Sequence, residues 1–410
     1  MGKASKKKRQ QELQSESILN GKSLISSKIS SKWSLFNKPL VHFFLIAIVG
    51  LLAYSNTFNV PFHFDDAPNI VENYKLRDLS NSWPPSGSRW LGFLTFALNY
   101  YFGGLNTIGY HIVNLGIHIL NAILVYWLVV LTFKTPYFLP PFNSLLTKGG
   151  YRGVALFSAL IFVSHPIQTQ AVTYIVQRFT SLATFFYLLS LVMYIKFRSQ
   201  KSVSFGDPPR REVSPPTHPS PSRGEGKGEG GRYTLYAISL LSAILAMKTK
   251  EISFTLPVII TLYESMFFGN KQFVIPVKTG IQDKNEMDSY FRRNDRMESG
   301  YKRLLYLIPF LLTLPIIPLS LIGIDKPIGD IIGELRAASQ ETEQISRNVY
   351  LLTQFRVIVT YIRLLFLPIN QNLDYDYPLY HSFFNPEVFL SLLFLLLIFA
   401  FGIYLLYAKR

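Results

Sequence analysis

Long apolar runs decide what this chain can fold into. Read along the 410 residues, they fall at about 39–55, 108–133, 153–165, 174–197, 233–247, 252–268, 304–323 and 387–408. A run of about 20 apolar residues crosses the roughly 30 Å hydrocarbon core of a bilayer, and a shorter one nearly does so when tilted or kinked. Hydrocarbon offers no partner to a backbone N–H or C=O, so each run must satisfy its own main chain, as a helix does. The expectation is an all-α polytopic membrane protein. Two places look like breaks: His165-Pro166, where a short run ends, and Lys248-Thr249-Lys250-Glu251, a polar turn between two short runs.

Composition agrees. The chain is 49% hydrophobic and only 16% charged, against about 25% charged in soluble domains, and it has no cysteine. That excludes disorder over most of the length, a disulfide scaffold and any Cys-based metal site. The net charge of +16 would ordinarily suggest nucleic acid, but in a polytopic protein surplus Lys and Arg mark the cytoplasmic side. Segment 1–38 carries nine of them, which places it inside. Alternation then puts 134–152, 198–232, 269–303 and 409–410 inside as well. With boundary residue Lys196, these segments hold 30 of the 41 Lys and Arg but 11 of the 25 Asp and Glu. The surplus is a topology signal, and no nucleic-acid partner is expected. Residues 348–368, with Gln354, Arg356 and Arg363, either cross the membrane or lie in its interface. The interface keeps Lys409-Arg410 inside and gives eight spans; a crossing gives nine. The basic segment before the first run is too long for an ordinary signal peptide and reads as the tail of an uncleaved anchor.

Two cytoplasmic inserts, about 199–232 and 270–302, differ from the rest. The first is rich in Pro, Gly and Ser and cannot bury a core; both resemble translated repeat elements and carry no chemistry.

Candidate chemistry gathers on the outer side. The loop of about 57–107 opens with Pro61-Phe62-His63-Phe64-Asp65-Asp66. Adjacent carboxylates suit a general base or a metal ligand, or equally an Asx turn or helix cap. Arg89-Trp90 and Asn99-Tyr100-Tyr101 read as an interfacial aromatic belt. His111, Asn114, His118 and Asn121 share one helical face, either toward a cavity or as interhelical glue, with His111 nearest the outer end. His165, Arg178, Lys248, Lys250, Glu251 and Arg347 fall at other outer junctions. A carboxylate base facing several cations is what transfer from a phosphate-linked donor needs. Those cations also suit outer-leaflet headgroups or local acids. Asp374 and Asp376 have the spacing of a loop metal site or of a plain polar turn, and Glu264 sits near the inner interface.

In order, these segments resemble the transmembrane-and-tetratricopeptide-repeat (TMTC-type) glycosyltransferases of the GT-C superfamily. The resemblance rests on FDD at 64–66, YHIVNLGIHILNAILVY at 110–126, HPIQTQAVTYIVQRFTSLATFFYLLSL at 165–191, KTKEISFTLPVIITLYE at 248–264 and TQFRVIVTYIRLLFLP at 353–368. It implies a GT-C-like bundle over 39–408 with interfacial helices in the external loop. It implies an inverting transfer from a polyprenyl-phosphate-linked sugar to a protein or glycan hydroxyl at the extracytoplasmic face of a bacterial inner membrane. Asp65 and Asp66 then match the catalytic acidic motif. His111, His165, Arg178, Lys248, Lys250, Glu251 and Arg347 become donor-phosphate or substrate contacts. No metal ligand is assigned, and a divalent cation (Mg or Mn) is compatible but not required. Gln168 and Gln170 stand where the family has His and Glu, and the family's repeat domain does not follow Arg410. A lipid-linked saccharide transporter and an inactive truncated member are the alternatives.

Overall fold

The computed structural model describes residues 38–85, 87, 89–138, 150–200, 227–268, 300–322, 345–373 and 375–408. The tail through residue 37, most of both inserts, Asp374 and residues 409–410 lie outside the described residues.

The apolar runs are helices, and there is no strand among the described residues. In chain order they are α1 (Pro39–Ala53), α2 (Trp90–Gly103), α3 (Thr107–Thr132), α4 (Gly150–Ser164), α5 (Thr169–Thr173), α6 (Arg178–Ser199), α7 (Lys227–Met247), α8 (Leu256–Phe267), α9 (Gly300–Leu311), α10 (Ile316–Ile322), α11 (Arg347–Phe366) and α12 (Pro386–Ala408). Local chemistry sets several boundaries. Asn106 accepts the Ile108 N–H to open α3, and Ser346 accepts the Val349 N–H to open α11. Pro39 and Pro257 sit at helix starts, where a missing N–H removes nothing.

Among the described residues, α3, Ile175–Ser199, α11 and α12 are each long and apolar enough to cross a membrane. The pair Gly150–Ser164 and Pro166–Thr173, bent by 50° at His165, is long and apolar enough together, as a broken span or a re-entrant loop. α1 and Leu304–Ser320 are shorter. Two boundaries differ from the sequence expectation. The run 304–323 is not one helix: a turn around Thr313–Pro315 separates α9 from α10, because Pro315 and Pro318 withhold N–H donors there. α7 begins at Lys227 instead of 233, inside the first insert. Its Arg232 is buried with the guanidinium 4.7 Å from the Phe197 ring centroid, a contact that ties this first turn to α6.

α3 lies at the centre. Ala122, Tyr126 and Val130 on one face meet Ala155, Ala159 and Val163 of α4 and Ile46 of α1. Three alanines at the crossing let the helices approach closely, which favours helix association in an apolar medium. Leu124 and Leu131 on another face pack with Leu191 and Ile195 of α6, Ala243 and Ala246 of α7, and Ile260 of α8. The pairings fix directions. His42 meets Tyr126 while Gly50 lies against Ile119, so α1 runs antiparallel to α3. α6 runs with α3, since Arg178 meets Asn114 and Ser181 meets Asn121. α7 returns antiparallel to α6, with Ser190 against Ser239 and Phe197 against Arg232. One end of the bundle therefore holds the starts of α3, α6 and α8 and the ends of α1, α4 and α7. At the opposite end Glu264 is buried in the protein and binds Arg198 at 2.8 Å and the Tyr194 hydroxyl at 3.0 Å.

α2 lies across the first end as a lid on a separate apolar cluster of Ile70, Leu76, Phe96, Ala97, Tyr110, Ile175, Val176 and Phe179. It fits there because Gly92 has no side chain: a Cβ at this position would overlap the Phe179 ring. Phe179 is itself buried and stacked edge-on by Phe93 and Phe96, so it has nowhere to move. Gly92→Ala should destabilise the protein by about 1–3 kcal/mol through overpacking. Thermal unfolding in detergent checks this, and an unchanged midpoint would refute the fit.

Candidate active site

The first end of the bundle is full of chain breaks: α1 stops at Ala53, α4 bends at His165, α5 stops at Thr173 and a short 3-10 turn precedes α6. Each break frees backbone groups where water is scarce, and a buried unpaired group costs roughly 1–3 kcal/mol. The polar face of α3 supplies the partners. All four of its residues are buried. His111 Nε2 bonds the Val60 carbonyl at 2.9 Å and His118 Nε2 that of Val163 at 3.1 Å. Asn114 donates to the carbonyls of Val172 and Ile175, and Asn121 to that of Ser181. The stripe is glue, directed mainly at main-chain carbonyls. His111 keeps one unused atom: Nδ1 is buried without a hydrogen-bond partner.

Arg178 is the hub of this end. It is fully buried, and its fork donates to Asn114 Oδ1 at 2.7 Å, to Asn99 Oδ1, to the Thr95 carbonyl at 3.2 Å and to the Tyr110 carbonyl at 2.9 Å. The Phe96 ring lies 4.5 Å from the guanidinium carbon. These bonds lock α2, α3 and α6 together. Arg178, expected beside a donor phosphate, has its donors on scaffold acceptors. Asn99, expected in an aromatic belt, is one of its acceptors.

The structure separates the two adjacent carboxylates. Asp66 is 1% exposed, and its two oxygens accept the N–H groups of His63 at 3.0 Å and Val176 at 2.7 Å. Burial pushes this carboxyl above the usual carboxylate range, while those two N–H bonds oppose the rise. Its role is to pin the external loop to the base of α6. Asp65 is exposed, and its N–H donates to the Tyr174 hydroxyl at 2.9 Å. It is the carboxylate available to a second molecule.

Lys250 stands close by. Its ammonium donates to Thr180 Oγ1 at 2.6 Å, and Thr180 donates to Gln177 Oε1. Burial, with the neighbouring Arg89, holds the Lys250 ammonium below its ordinary range. Val176, which holds Asp66, and Thr180, which holds Lys250, are four residues apart, or about 6 Å along a helix axis. The Asp65–Asp66 loop and the Lys250 ammonium are therefore anchored to the same short piece of chain. Arg89 forms a two-pronged pair with Glu251 at 3.0 and 3.2 Å and belongs to this cluster, although the sequence placed it in an aromatic belt. Lys248 is half-buried, and its carbonyl accepts the Leu91 N–H, docking α2 on the end of α7.

Two expected members fall elsewhere. His165 accepts the Ile167 N–H on Nδ1 and bonds the Leu365 carbonyl through Nε2, so both ring nitrogens hold the bend of the chain. Arg347 opens α11, eighteen residues before Leu365, so about 27 Å of helix separates it from His165. Among the described residues no cluster of three His, Asp or Glu side chains is arranged to hold a metal ion.

No family model matches the chain, and no solved structure does. Curated proteins do. The chain is 33% identical over 176 residues to Protein O-mannosyl-transferase tmtc2 of Xenopus laevis, covering 39% of this chain and 19% of that protein. It is 33% identical over 172 residues to Protein O-mannosyl-transferase TMTC2 of Homo sapiens, covering 38% and 19%. It is 27% identical over 246 residues to Protein O-mannosyl-transferase TMTC1 of Homo sapiens, covering 56% and 24%. The TMTC-type resemblance thus holds over part of the chain, which spans about a fifth to a quarter of the length of these relatives.

Stability should sort the roles assigned above. Asp66→Asn replaces one acceptor by an NH2 group facing a backbone N–H and should cost about 1–3 kcal/mol, whereas Asp65→Asn should stay within about 0.5 kcal/mol. Arg178→Lys cannot reproduce the fork and should cost on the order of 3 kcal/mol. Chemical denaturation of the purified variants measures all three; an Asp65→Asn loss equal to that of Asp66→Asn would contradict the separation.

Proposed function

We propose that this chain forms the membrane part of a glycosyltransferase that moves a sugar from a polyprenyl-phosphate carrier to a protein or glycan hydroxyl, with Asp65 as general base. The observation that carries the reading is that one short segment holds both the loop bearing the exposed Asp65, through the Asp66 carboxylate on the Val176 N–H, and a cation, Lys250, on Thr180 one helical turn further on. The named activity of the relatives points the same way.

The chemistry follows from the charges. Asp65 removes the proton of the acceptor hydroxyl as its oxygen bonds to the anomeric carbon. The bond from that carbon to the phosphate oxygen breaks, and the phosphate leaves with the electron pair. Attack from the face opposite the leaving group inverts the centre. Lys250, with the half-buried Lys248, supplies positive charge for the departing phosphate. Glu251 already offsets the charge of Arg89. Asp66 and Arg178 act one layer back, fixing the loop and the three helices on which the reacting groups stand.

Sidedness rests on chain direction. The basic tail precedes the start of α1, the second insert follows α8, and the first insert joins the end of α6 to the start of α7. All of these helix ends lie away from Asp65. The K/R bias places them in the cytoplasm, so the site opens on the extracytoplasmic face of a bacterial inner membrane.

The test is turnover of undecaprenyl-phosphate sugars by purified protein, with a hydroxyl-bearing peptide as acceptor. Asp65→Asn should lower the rate by about a hundredfold or more, with stability retained. Lys250→Met should lower it by about tenfold or more. Unimpaired turnover in Asp65→Asn removes the proposed base; carrier binding with no turnover in the wild type supports a carrier-binding protein instead.

A further inference from the structure

Tyr174 follows α5 and stands between Asp65 and the base of α6. The residue is buried, with 8% of its surface exposed. Its hydroxyl accepts the Asp65 N–H at 2.9 Å. That bond grips the main chain of the residue that carries the exposed carboxylate.

The residue before Asp65 shows why such a grip is needed. Phe64 has φ 45, the left-handed region that a bulky side chain rarely adopts. Such a backbone persists only where the surroundings enforce it. Enforcement comes from both sides. Asp66 fastens the chain after the turn through His63 and Val176, and the Tyr174 ring meets the Phe64 ring edge-on with centroids 6.4 Å apart. The bonds of Asp66 hold the loop in place but do not reach Asp65. The Tyr174 hydroxyl does, at the Asp65 N–H.

Building on the reading of Asp65 as the base, we propose that Tyr174 is its positioning residue: it fixes the Asp65 backbone in the strained turn and aims the carboxylate at the acceptor hydroxyl. It touches neither donor nor acceptor, and its effect passes wholly through Asp65. In the sequence Tyr174 lies inside the segment that supplies Val176, Gln177, Arg178 and Thr180, so one stretch positions the base, the loop and the cation together.

The experiment uses the full chain in lipid nanodiscs, with aspartate carboxyl carbons isotopically labelled. Infrared difference spectra against Asp65→Asn isolate the Asp65 carboxylate band. In Tyr174→Phe, which keeps the ring, that band should shift because the main chain that carries the carboxylate has lost its hold. The turnover number should fall between about tenfold and a hundredfold while the KM for the polyprenyl-phosphate sugar stays within about twofold, as expected when a reacting group is misaimed and not lost. Tyr187→Phe, which loses a hydroxyl contact to Thr255 and none to the Asp65 loop, should change neither reading. If Tyr174→Phe does not fold, 3-fluorotyrosine at position 174 keeps ring and hydroxyl, and its weaker acceptor oxygen should shift the same band. An unmoved band overturns the positioning role whatever turnover does, and so does a moved band with unchanged turnover number. Absence of turnover in the wild type sinks the transferase reading instead, and the band still decides whether Tyr174 holds Asp65.

Discussion

A backbone group that loses its helix partner inside an apolar medium must find another, and this constraint organises the end of the bundle where Asp65 stands. Helices stop or bend there at Ala53, His165 and Thr173. The polar face of α3 bonds the carbonyls of Val60, Val163, Val172, Ile175 and Ser181, and Arg178 takes two more carbonyls and two side-chain amides. Each bond adds only about 1 kcal/mol net, but each released group left alone would cost more than that. Irregular chain is tolerated here because α3 was built to receive it. Irregular chain is in turn what carries Asp65 onto Tyr174 and Lys250 onto Thr180, at the start of the same helix.

The adjacent aspartates illustrate how environment assigns role. Two identical side chains one residue apart would be interchangeable in water. Asp66 is enclosed, and both of its oxygens are committed to backbone N–H groups; Asp65 faces outward with its own N–H held. A carboxylate that already accepts two strong bonds is a poor proton acceptor for a third molecule, whereas an exposed one keeps its lone pairs. The same logic separates the cations. Arg178 has an acceptor around every part of its fork, and Arg89 has Glu251, which leaves the lysines at the end of α7 to meet an anion.

Much of this was legible in the residues. The apolar runs marked the helices to within a few positions, and the three, four, three spacing placed His111, Asn114, His118 and Asn121 on one face, all of which are buried. What spacing could not reveal was the target of that face, because main-chain carbonyls carry no residue signature. The division between Asp65 and Asp66 depends on the N–H of Val176, more than a hundred residues away, and the trapping of Arg178 depends on Asn99 in the external loop. Both are long-range facts of packing. Arg347 misled for the opposite reason: it begins a helix, but a helix 20 residues long carries its two ends far apart, and it is the other end that reaches His165. The prolines near 315 and the buried contact of Arg232 moved two helix boundaries for purely local reasons.

The direction of the chain has one more consequence. The described helix ends that flank residues 139–149, 201–226 and 269–299 all lie at the end opposite Asp65, whereas the chain around the carboxylate is tied by bonds to Tyr174 and Val176. The molecule therefore has a permissive pole and an intolerant one. Length added between helix ends at the first leaves the bonds at the second in place. The helix ends that flank the two foreign-looking inserts are at the permissive pole, where length is cheapest to accommodate.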